Sequence, residues 1–102
     1  MTSPAAHPAA SRHPAHMDPE QKAALRAELA RRFPLKQYTA EYAGGDEDFA
    51  LWLALMDARL YRRTFVTHRD LPDRPYRDEY DAGTDPIDYA DEVADDELDA
   101  LI

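Results

Sequence analysis

The sequence of 102 residues contains no cysteine, only three glycines and no apolar run long enough to span a membrane. Without cysteine the chain can form neither disulfide bonds nor thiolate metal sites, which suits a reducing compartment. The longest apolar run, from Phe49 to Met56, is far shorter than the roughly 20 residues that cross a bilayer. The start of the chain also lacks the apolar stretch of a signal peptide. We therefore expect a cytoplasmic protein that does not insert into a membrane.

Basic residues are absent from the last quarter of the chain. Residues 1–77 hold all 12 basic side chains and 10 acidic ones, for a net charge of +2. Residues 78–102 hold 11 acidic side chains and no lysine or arginine, for a net charge of −11. Charge segregated in this way is typical either of an interaction segment or of a solvated end that keeps the protein in solution.

Residues 1–17 are rich in alanine, proline and histidine, and their only large apolar side chains are Met1 and Met17. The prolines interrupt any helix, and nothing in the segment offsets the entropy lost on ordering, so we predict a disordered leader. The leader contains three histidines, His7, His13 and His16. Because a flexible tract without acids or cysteines holds a metal poorly, we expect no metal site.

Three segments after the leader have the pattern of helices. Asp18 can cap a helix with Pro19 in its first turn, and Pro34 stops that helix after Phe33. Residues 47–62 are apolar almost all round, which indicates the central helix of a bundle. Residues 86–100 again follow a capping residue and continue as an amphipathic stripe. We predict an all-α domain at residues 18–102, a small bundle of three or four helices.

The segments between the long helices are less regular. Residues 64–73 lose the helical period, so we predict an extended connector anchored by Phe65 and Leu71. The next residues can form a short helix, with Tyr76 and Tyr80 on one face and Gly83 as its stop. These tyrosines could form a contact surface with the neighbouring acids. Alternatively, each could cover the core with its ring and keep its hydroxyl in water.

The last predicted helix has acids at every charged position. They are Asp88, Asp91, Glu92, Asp95, Asp96, Glu97 and Asp99. Acids three or four residues apart repel each other, and acids in the last turn oppose the helix dipole. We therefore expect the end of the helix to fray unless a cationic surface approaches it. That surface belongs either to a partner or to this chain, which offers Arg26, Arg31, Arg32, Arg59, Arg62 and Arg63.

From this charge layout we predict a non-catalytic protein–protein interaction module whose acidic C-terminal helix binds a basic partner surface. The candidate contact residues are Asp88, Asp91, Glu92, Asp95, Asp96, Asp99, Tyr76 and Tyr80. In a narrower version the acids imitate a phosphate backbone, and the protein is an inhibitor or accessory of a nucleic-acid-binding protein. The main alternative is an acidic helix that packs internally and serves only solubility. A second alternative is direct nucleic-acid binding through arginine clusters, which the acidic segment would oppose.

No catalytic, cofactor or calcium-binding motif is present. His68 and Asp70 form the only His–acid pair of the predicted domain, and a solvent-exposed loop histidine is the simpler interpretation. A calcium loop aligned from Asp78 would need Glu at its twelfth position, which is Tyr89. No glycine-rich phosphate loop occurs. We therefore expect neither an enzyme nor a bound cofactor.

The stretch DLPDRPYRDEYDAGTDP at residues 70–86 resembles a segment of short uncharacterised helical proteins of bacteria and their phages. In those proteins a Pro/Tyr/Arg turn leads through a glycine into a terminal helix. The resemblance covers under a fifth of the chain and brings no known activity, so it assigns no functional residue. It implies an accessory protein of a mobile genetic element.

Overall fold

The computed structural model describes residues 12–100. In this range the chain forms α1 (Pro19–Ala30), α2 (Leu35–Gln37), α3 (Glu47–Thr64), α4 (Tyr76–Asp81) and α5 (Pro86–Ala100). Helix α2 continues into a π-helical turn (Tyr38–Tyr42), and 3-10 turns occupy Pro14–His16 and His68–Asp70. The described residues contain no strand, and none of their helices has the length and apolar character needed to cross a membrane. The predicted all-α fold is confirmed, with three long helices and two short ones.

The helices begin where the sequence offers capping side chains. The Asp18 carboxylate accepts a hydrogen bond from the Gln21 amide at 2.8 Å, and the Gln21 side chain accepts one from the Asp18 amide at 3.0 Å. This reciprocal capping box satisfies two donors at the start of α1. Helix α1 ends at Ala30, earlier than predicted, because the residues leading into Pro34 form a turn.

Helix α3 forms the centre of the core, as its apolar pattern predicts. Its largest fully buried side chains are Trp52, Leu51, Leu53, Met56 and Leu60. Helix α5 packs along α3 through a stripe made of Pro86, Tyr89, Ala90, Val93 and Ala94. Trp52 also donates its indole N–H to the Thr84 carbonyl at 2.9 Å, which ties α3 to the residues just before α5.

The predicted disordered leader is wrong for residues 12–17, which are ordered and packed on the bundle. The His13 ring is buried, with 2% of its surface exposed. Its Nε2–H donates to the Tyr80 carbonyl at 2.8 Å, while Nδ1 accepts from the Ala15 amide at 3.1 Å. The prediction counted only large apolar side chains, but a histidine with both ring nitrogens satisfied can also be buried. The rest of the predicted leader, residues 1–11, lies outside the described residues.

The connector after α3 is anchored at one of its two predicted positions. Leu71 packs against the core, as predicted. Phe65, in contrast, is 76% exposed and has a left-handed backbone with φ of 65°. That conformation ends α3 and turns the ring away from the core, so the predicted Phe65 anchor is wrong. The left-handed region is uncommon for a residue with a bulky side chain, and it was not readable from the sequence.

Candidate functional sites on the acidic helix and beside His68

Helix α5 is held against α3 by the chain's own arginines. The Asp91 carboxylate accepts from Arg59 Nε at 2.8 Å and from Arg63 Nη1 at 3.4 Å. Arg63 Nη2 donates to Asp95 at 2.8 Å. The hydrogen bond from Arg59 holds the pKa of Asp91 below its ordinary value. The intramolecular cationic surface is therefore in use, and α5 needs no partner to stay in place.

Arg74, which the sequence analysis left out of the cationic surface, binds the C-terminal half of α5. Its guanidinium donates to Asp96 at 3.3 Å and to Glu97 at 2.9 Å. The bond to Glu97 is the main cause of the raised pKa of Arg74. The helix continues to Ala100, and the frayed end predicted from repulsion and the dipole is not observed. Arg74 supplies the positive charge that the last turns lack.

Arg12 holds the beginning of α5. Its Nε donates to Asp85 at 3.0 Å, and its Nη2 lies 3.4 Å from Asp88. Asp85 also caps the helix, since its carboxylate accepts from the amides of Ile87 at 2.8 Å and Asp88 at 3.1 Å. This contact was missed because Arg12 falls in the segment predicted to be disordered.

Four exposed acids follow one another along α5, and we call them the outward row: Asp88, Glu92, Asp95 and Asp99. Their spacing of four, three and four residues places them on one side of a helix. Within the described residues Glu92 and Asp99 have no ion pair, and Asp88 has only the 3.4 Å contact with Arg12. Asp95 is paired but its side chain remains 66% exposed. The outward row is therefore solvent-exposed and only partly compensated.

The two tyrosines predicted to join the acids are not part of the outward row. Tyr76 is 8% exposed, and its buried hydroxyl has no hydrogen-bond partner among the described residues. Burial raises the pKa of Tyr76 to about 12. Tyr80 is partly buried, with its ring centroid 4.6 Å from that of His13 and 5.2 Å from that of Phe49. Both rings cover the core, as in the alternative interpretation, although the Tyr76 hydroxyl is not in water.

A fully buried carboxylate, Asp57, lies in the middle of α3. It accepts hydrogen bonds from the Tyr38 hydroxyl at 2.7 Å, from the His68 amide at 2.7 Å and from His68 Nδ1 at 2.6 Å. Burial, reinforced by the Asp57 carboxylate, holds the pKa of Tyr38 well above its ordinary value. The network joins α3 to the π-helical turn and to the turn after α3. We did not predict it, although one charged residue in an otherwise apolar run indicates a buried group with dedicated partners.

The predicted solvent-exposed loop histidine is wrong, because the His68 side chain is only 10% exposed and its acidic partner is Asp57, not Asp70. Asp70 accepts from the Thr67 amide at 3.1 Å and caps its own turn, while His68 binds Asp57. Because Asp57 accepts at every contact, the ring donates from Nδ1, and in the neutral ring Nε2 carries the lone pair. Nε2 has no hydrogen-bond partner among residues 12–100. His68 is therefore an oriented imidazole with one unused nitrogen.

His68 lines an open cavity of about 480 Å³ between α3, the start of α4 and the π-helical turn, which we call the His68 cavity. Its volume is in the range of small-ligand sites. Its aromatic walls are Tyr42, Phe49 and Tyr76, and no serine or threonine lines it. In the described part of the chain no three histidine or acidic side chains come together in a way that could hold a metal ion.

The charged side chains around the His68 cavity are unevenly compensated. Arg74 is bound to Asp96 and Glu97, and Arg77 lies 3.2 Å from a carboxylate oxygen of both Asp46 and Asp81. Three acids also line the cavity, namely Glu41, Asp73 and Asp78. Within the described residues these three have no ion pair. The lining side chains without an ion pair are therefore all acidic, while Arg69, which lies over the Tyr42 ring, also has no ion pair in the described residues.

Comparison with known proteins identified no relative of this chain. The chain matches no protein-family model, no curated protein and no solved structure.

Proposed function

We propose that this protein is a non-catalytic interaction module that binds a basic protein surface through the outward row of α5. The observation that carries the proposal is that the acids of α5 fall into two groups, those bound to arginines and those exposed to solvent. Asp91 and Glu97 bind arginines and hold the helix, while Glu92 and Asp99 are exposed and have no ion pair within residues 12–100. Because the helix is already ordered, a partner would not have to supply the free energy of ordering it.

This reason differs from the one that the sequence suggested. The sequence predicts a helix that needs an external cation to be stable, whereas Arg59, Arg63 and Arg74 already supply internal cations. Binding is instead supported by the acids of the outward row, which an ordered helix holds at fixed positions on the surface. Such charge would steer a basic partner towards α5 and would lose strength as salt is added.

The charge density of the outward row favours a protein surface with spaced cations over close mimicry of a nucleic acid. Eleven residues of helix separate Asp88 from Asp99, which corresponds to about 16 Å of axial rise. Four carboxylates over that length give one charge per roughly 5 Å, against 3.4 Å for each strand of DNA. A nucleic-acid-binding protein is one partner of the proposed class, and imitation of phosphates is the narrower form of the proposal.

Two alternatives compete with this function. In the first, the outward row serves only solubility, and no basic protein prefers it over acids elsewhere. In the second, the arginines bind nucleic acid directly. This one has less support because Arg59, Arg63 and Arg74 already bind acids of α5, and these acids would repel a phosphate backbone.

We retain a non-catalytic function because no serine or threonine of the described residues lines the His68 cavity beside the Asp57–His68 pair. An aspartate that orients a histidine is part of many acyl-transfer sites, but those sites also need a hydroxyl or thiol within hydrogen-bond reach of the imidazole. The hydroxyl-bearing residues that line the His68 cavity are Tyr42 and Tyr76, and the Tyr76 hydroxyl is kept neutral by its raised pKa.

The experiment compares two variants that change the net charge by the same amount. The row variant D88N/E92Q/D99N removes three outward carboxylates and leaves the acids bound to Arg59 and Arg63 in place. The control variant E20Q/E28Q/E47Q removes three exposed carboxylates from α1 and the start of α3. Binding of both variants and of the unchanged protein to a panel of purified basic proteins is measured by calorimetry, at about 50 mM and about 300 mM salt.

We expect at least one member of the panel to bind the unchanged protein and the control variant about equally, and to bind the row variant about tenfold more weakly, a difference of about 1.4 kcal/mol. The affinity for the unchanged protein should fall at the higher salt. Equal losses in both variants would show an effect of net charge only, and no binding at either salt concentration would leave solubility as the function. The melting temperature of the row variant should change little, because the lost 3.4 Å contact between Arg12 and Asp88 is offset by the removal of repulsion between neighbouring acids.

A further inference from the structure

We propose that the surface between α1 and α3 is a second interaction site, which binds an acidic segment of a partner protein that also carries large apolar side chains. We call this surface the α1–α3 face. It consists of two adjoining hollows and an exposed pair of aromatic rings, Tyr61 and Phe65. The inference goes beyond the proposed function, because it concerns a different surface and a partner of opposite charge.

The two hollows form an apolar groove and share one lining residue, Arg32. The first, of about 340 Å³, lies between α1, α3 and the first turn of α5. The second, of about 290 Å³, lies between the residues that follow α1 and the end of α3. The apolar and aromatic side chains that line the groove are Leu25, Leu29, Leu55, Ala58 and Ile87 in the first hollow and Phe33 and Tyr61 in the second. Leu25, Leu55 and Ile87 are only partly buried, so an apolar side chain inserted there would remove further apolar surface from water.

Two exposed aromatic rings extend this groove at the end of α3. Tyr61, which lines the second hollow, is 49% exposed, and Phe65 is 76% exposed. Their ring centroids lie 6.0 Å apart, with the planes at 84°. Among the described residues these two are the large apolar side chains that remain exposed. Contiguous apolar surface of this kind marks interaction sites in soluble proteins, and aromatic side chains are enriched at the centres of interfaces.

The backbone of Phe65 gives a second reason to assign a contact to this position. Its φ of 65° lies in the left-handed region, where glycine usually ends a helix because it has no Cβ. A phenylalanine in that conformation is unfavourable, and its exposed ring gains little burial in return. Contact of the ring with a partner would explain both features.

The charge at the groove favours an acidic partner. Arg12 and Arg59 line the first hollow but already bind carboxylates of α5. Glu28, the acid among the lining residues, is itself paired with an arginine of α1 at 3.6 Å. Arg32 and Arg62 also line this hollow, are exposed and have no ion pair within the described residues. A carboxylate that approaches them would gain a partner without displacing an existing ion pair.

An acidic protein segment fits these observations better than a second copy of this chain does. The exposed residues of α5 that a second copy would present are Asp88, Glu92, Asp95, Asp96, Asp99 and Ala100. Their carboxylates could pair with Arg32 and Arg62, but they include no large apolar side chain to cover Tyr61 and Phe65. A segment of another protein can combine spaced carboxylates with the apolar side chains that the groove accepts.

A protein segment also fits better than a nucleic acid. A strand of DNA carries a phosphate about every 3.4 Å. The face offers two unpaired arginines, Arg32 and Arg62, and the acids of α5 lie beside the first hollow, where they bind Arg12 and Arg59. A phosphate backbone would therefore bring more negative charge than the face can offset.

The test measures binding of labelled probes to the full-length protein by fluorescence anisotropy. The first probe is a synthetic peptide of about 14 residues, or four turns of helix, with leucines on one face and glutamates on the other. In the second peptide lysine replaces every glutamate, and in the third serine replaces every leucine. A single-stranded oligothymidine is the nucleic-acid probe.

Three variants of the protein address the face. Phe65→Gly removes the exposed ring and introduces the residue best suited to the left-handed backbone. R32Q/R62Q removes the two unpaired arginines of the groove. K36Q/R69Q is the control with the same change in net charge, because both residues are exposed, have no ion pair within the described residues and line neither hollow.

We expect the glutamate–leucine peptide to bind saturably and the other three probes to bind at least about tenfold more weakly. Phe65→Gly should weaken binding of that peptide about fivefold without lowering the melting temperature, which a purely structural role for the ring would lower. R32Q/R62Q should weaken binding about tenfold, whereas K36Q/R69Q should keep it within about twofold.

The inference is overturned if the glutamate–leucine peptide does not bind, if the lysine or serine peptide binds equally well, or if the two arginine variants lose binding equally. Tighter binding of oligothymidine would assign the face to a nucleic acid. Self-association of the free protein that Phe65→Gly abolishes would assign it to a second copy. NMR contacts between the Phe65 ring and residues 1–11 in the free protein would assign it to the chain's own N-terminal segment.

The row variant D88N/E92Q/D99N separates this inference from the proposed function. It should bind the glutamate–leucine peptide at least as tightly as the unchanged protein does, because it has lost charges that repel the peptide. If basic proteins require the outward row but the peptide does not bind, the proposed function stands and the α1–α3 face is wrong. If the peptide binds as expected while basic proteins bind the row variant normally, the α1–α3 face stands and the role of α5 is wrong.

Discussion

Asp57 and Asp91 both hold helices together, but their surroundings differ. Asp57 is fully buried in α3 and accepts three short hydrogen bonds from two residues, whereas Asp91 lies at the edge of α5 and binds two arginines in partial contact with water. The network around Asp57 joins three segments in the interior. The pairs around Asp91 dock one helix at the surface. A buried carboxylate depends on all its donors, while a surface carboxylate can exchange a lost donor for water.

This difference separates the structural acids from those available for binding. Among the described residues Asp57 is the one fully buried carboxylate, and it is occupied by the three hydrogen bonds from Tyr38 and His68. On α5 the acidic side chains outnumber the arginines that bind them. Glu92 and Asp99, which have no ion pair within the described residues, are exposed to solvent. The predictions below test this contrast, from the largest expected effect to the smallest.

Replacing Asp57 with alanine should have the largest effect. The substitution leaves the Tyr38 hydroxyl and the His68 amide buried without an acceptor, so we expect the free energy of unfolding to fall by about 3–5 kcal/mol. Urea denaturation followed by tryptophan fluorescence measures the change. Tyr38→Phe removes a single donor and should cost about 1–2 kcal/mol, which keeps the test usable if the alanine variant does not fold. A smaller loss for Asp57→Ala than for Tyr38→Phe would contradict the network.

Replacing His13 with alanine should have an intermediate effect. The variant loses a buried ring that packs on Tyr80 and a hydrogen bond to its carbonyl, so we expect a loss of about 1–3 kcal/mol in the free energy of unfolding. His16→Ala is the comparison, because it removes the ring that stacks on His13 at 4.8 Å between centroids but keeps both hydrogen bonds of the His13 ring, so it should cost less than His13→Ala. If both variants unfold like the unchanged protein, residues 12–17 do not pack on the bundle in solution.

Replacing Asp91 with asparagine should have the smallest effect, and that effect should depend on pH. At neutral pH the variant should unfold at a lower urea concentration than the unchanged protein, by less than His13→Ala does. Because Arg59 lowers the pKa of Asp91 in the folded protein, the stabilisation is complete above the ordinary aspartate pKa of about 3.9 and is lost as the pH falls through the lower folded value.

Two comparisons check this assignment. The difference between the variant and the unchanged protein should disappear at acidic pH and should shrink in about 0.5 M salt. Asp99→Asn removes an acid that has no ion pair in the described residues, and it should not lower the urea midpoint at any pH. An equal decrease for Asp91→Asn and Asp99→Asn would mean that the arginine pairs contribute no measurable stability.

The fold was predictable from local patterns, and most of the site was not. The apolar run of α3, the capping residue before α5 and its amphipathic stripe depend on neighbours in the sequence, and the structure confirms these elements. The interactions that define the site join residues far apart, such as Arg12 with Asp85 across 73 positions and His68 with Asp57 across 11. Such pairings depend on how the helices pack, which a single sequence does not encode locally.

For Asp57, the apolar pattern of α3 could have predicted burial but not the residues that bind it. A charge inside an apolar run indicates a satisfied buried group, but it does not say which donors reach it. Tyr38 was not assigned to any predicted helix and His68 was expected to be exposed in a loop, so neither donor could be selected. The four acids of the outward row, in contrast, were all among the predicted contact residues, although Asp91 and Asp96 of that predicted set lie outside the row and bind arginines.

The anchoring of His13 has a practical consequence for reporters attached to this protein. The segment that carries His13 is fixed beside Tyr80, and Arg12 touches the first acids of α5. A tag fused directly to Arg12, in place of residues 1–11, would begin next to α5. It would crowd the surface whose binding is being measured. Because the chain contains no cysteine, a single cysteine introduced at the exposed position Ala24 on α1 would carry a dye at a unique site and leave that surface unobstructed.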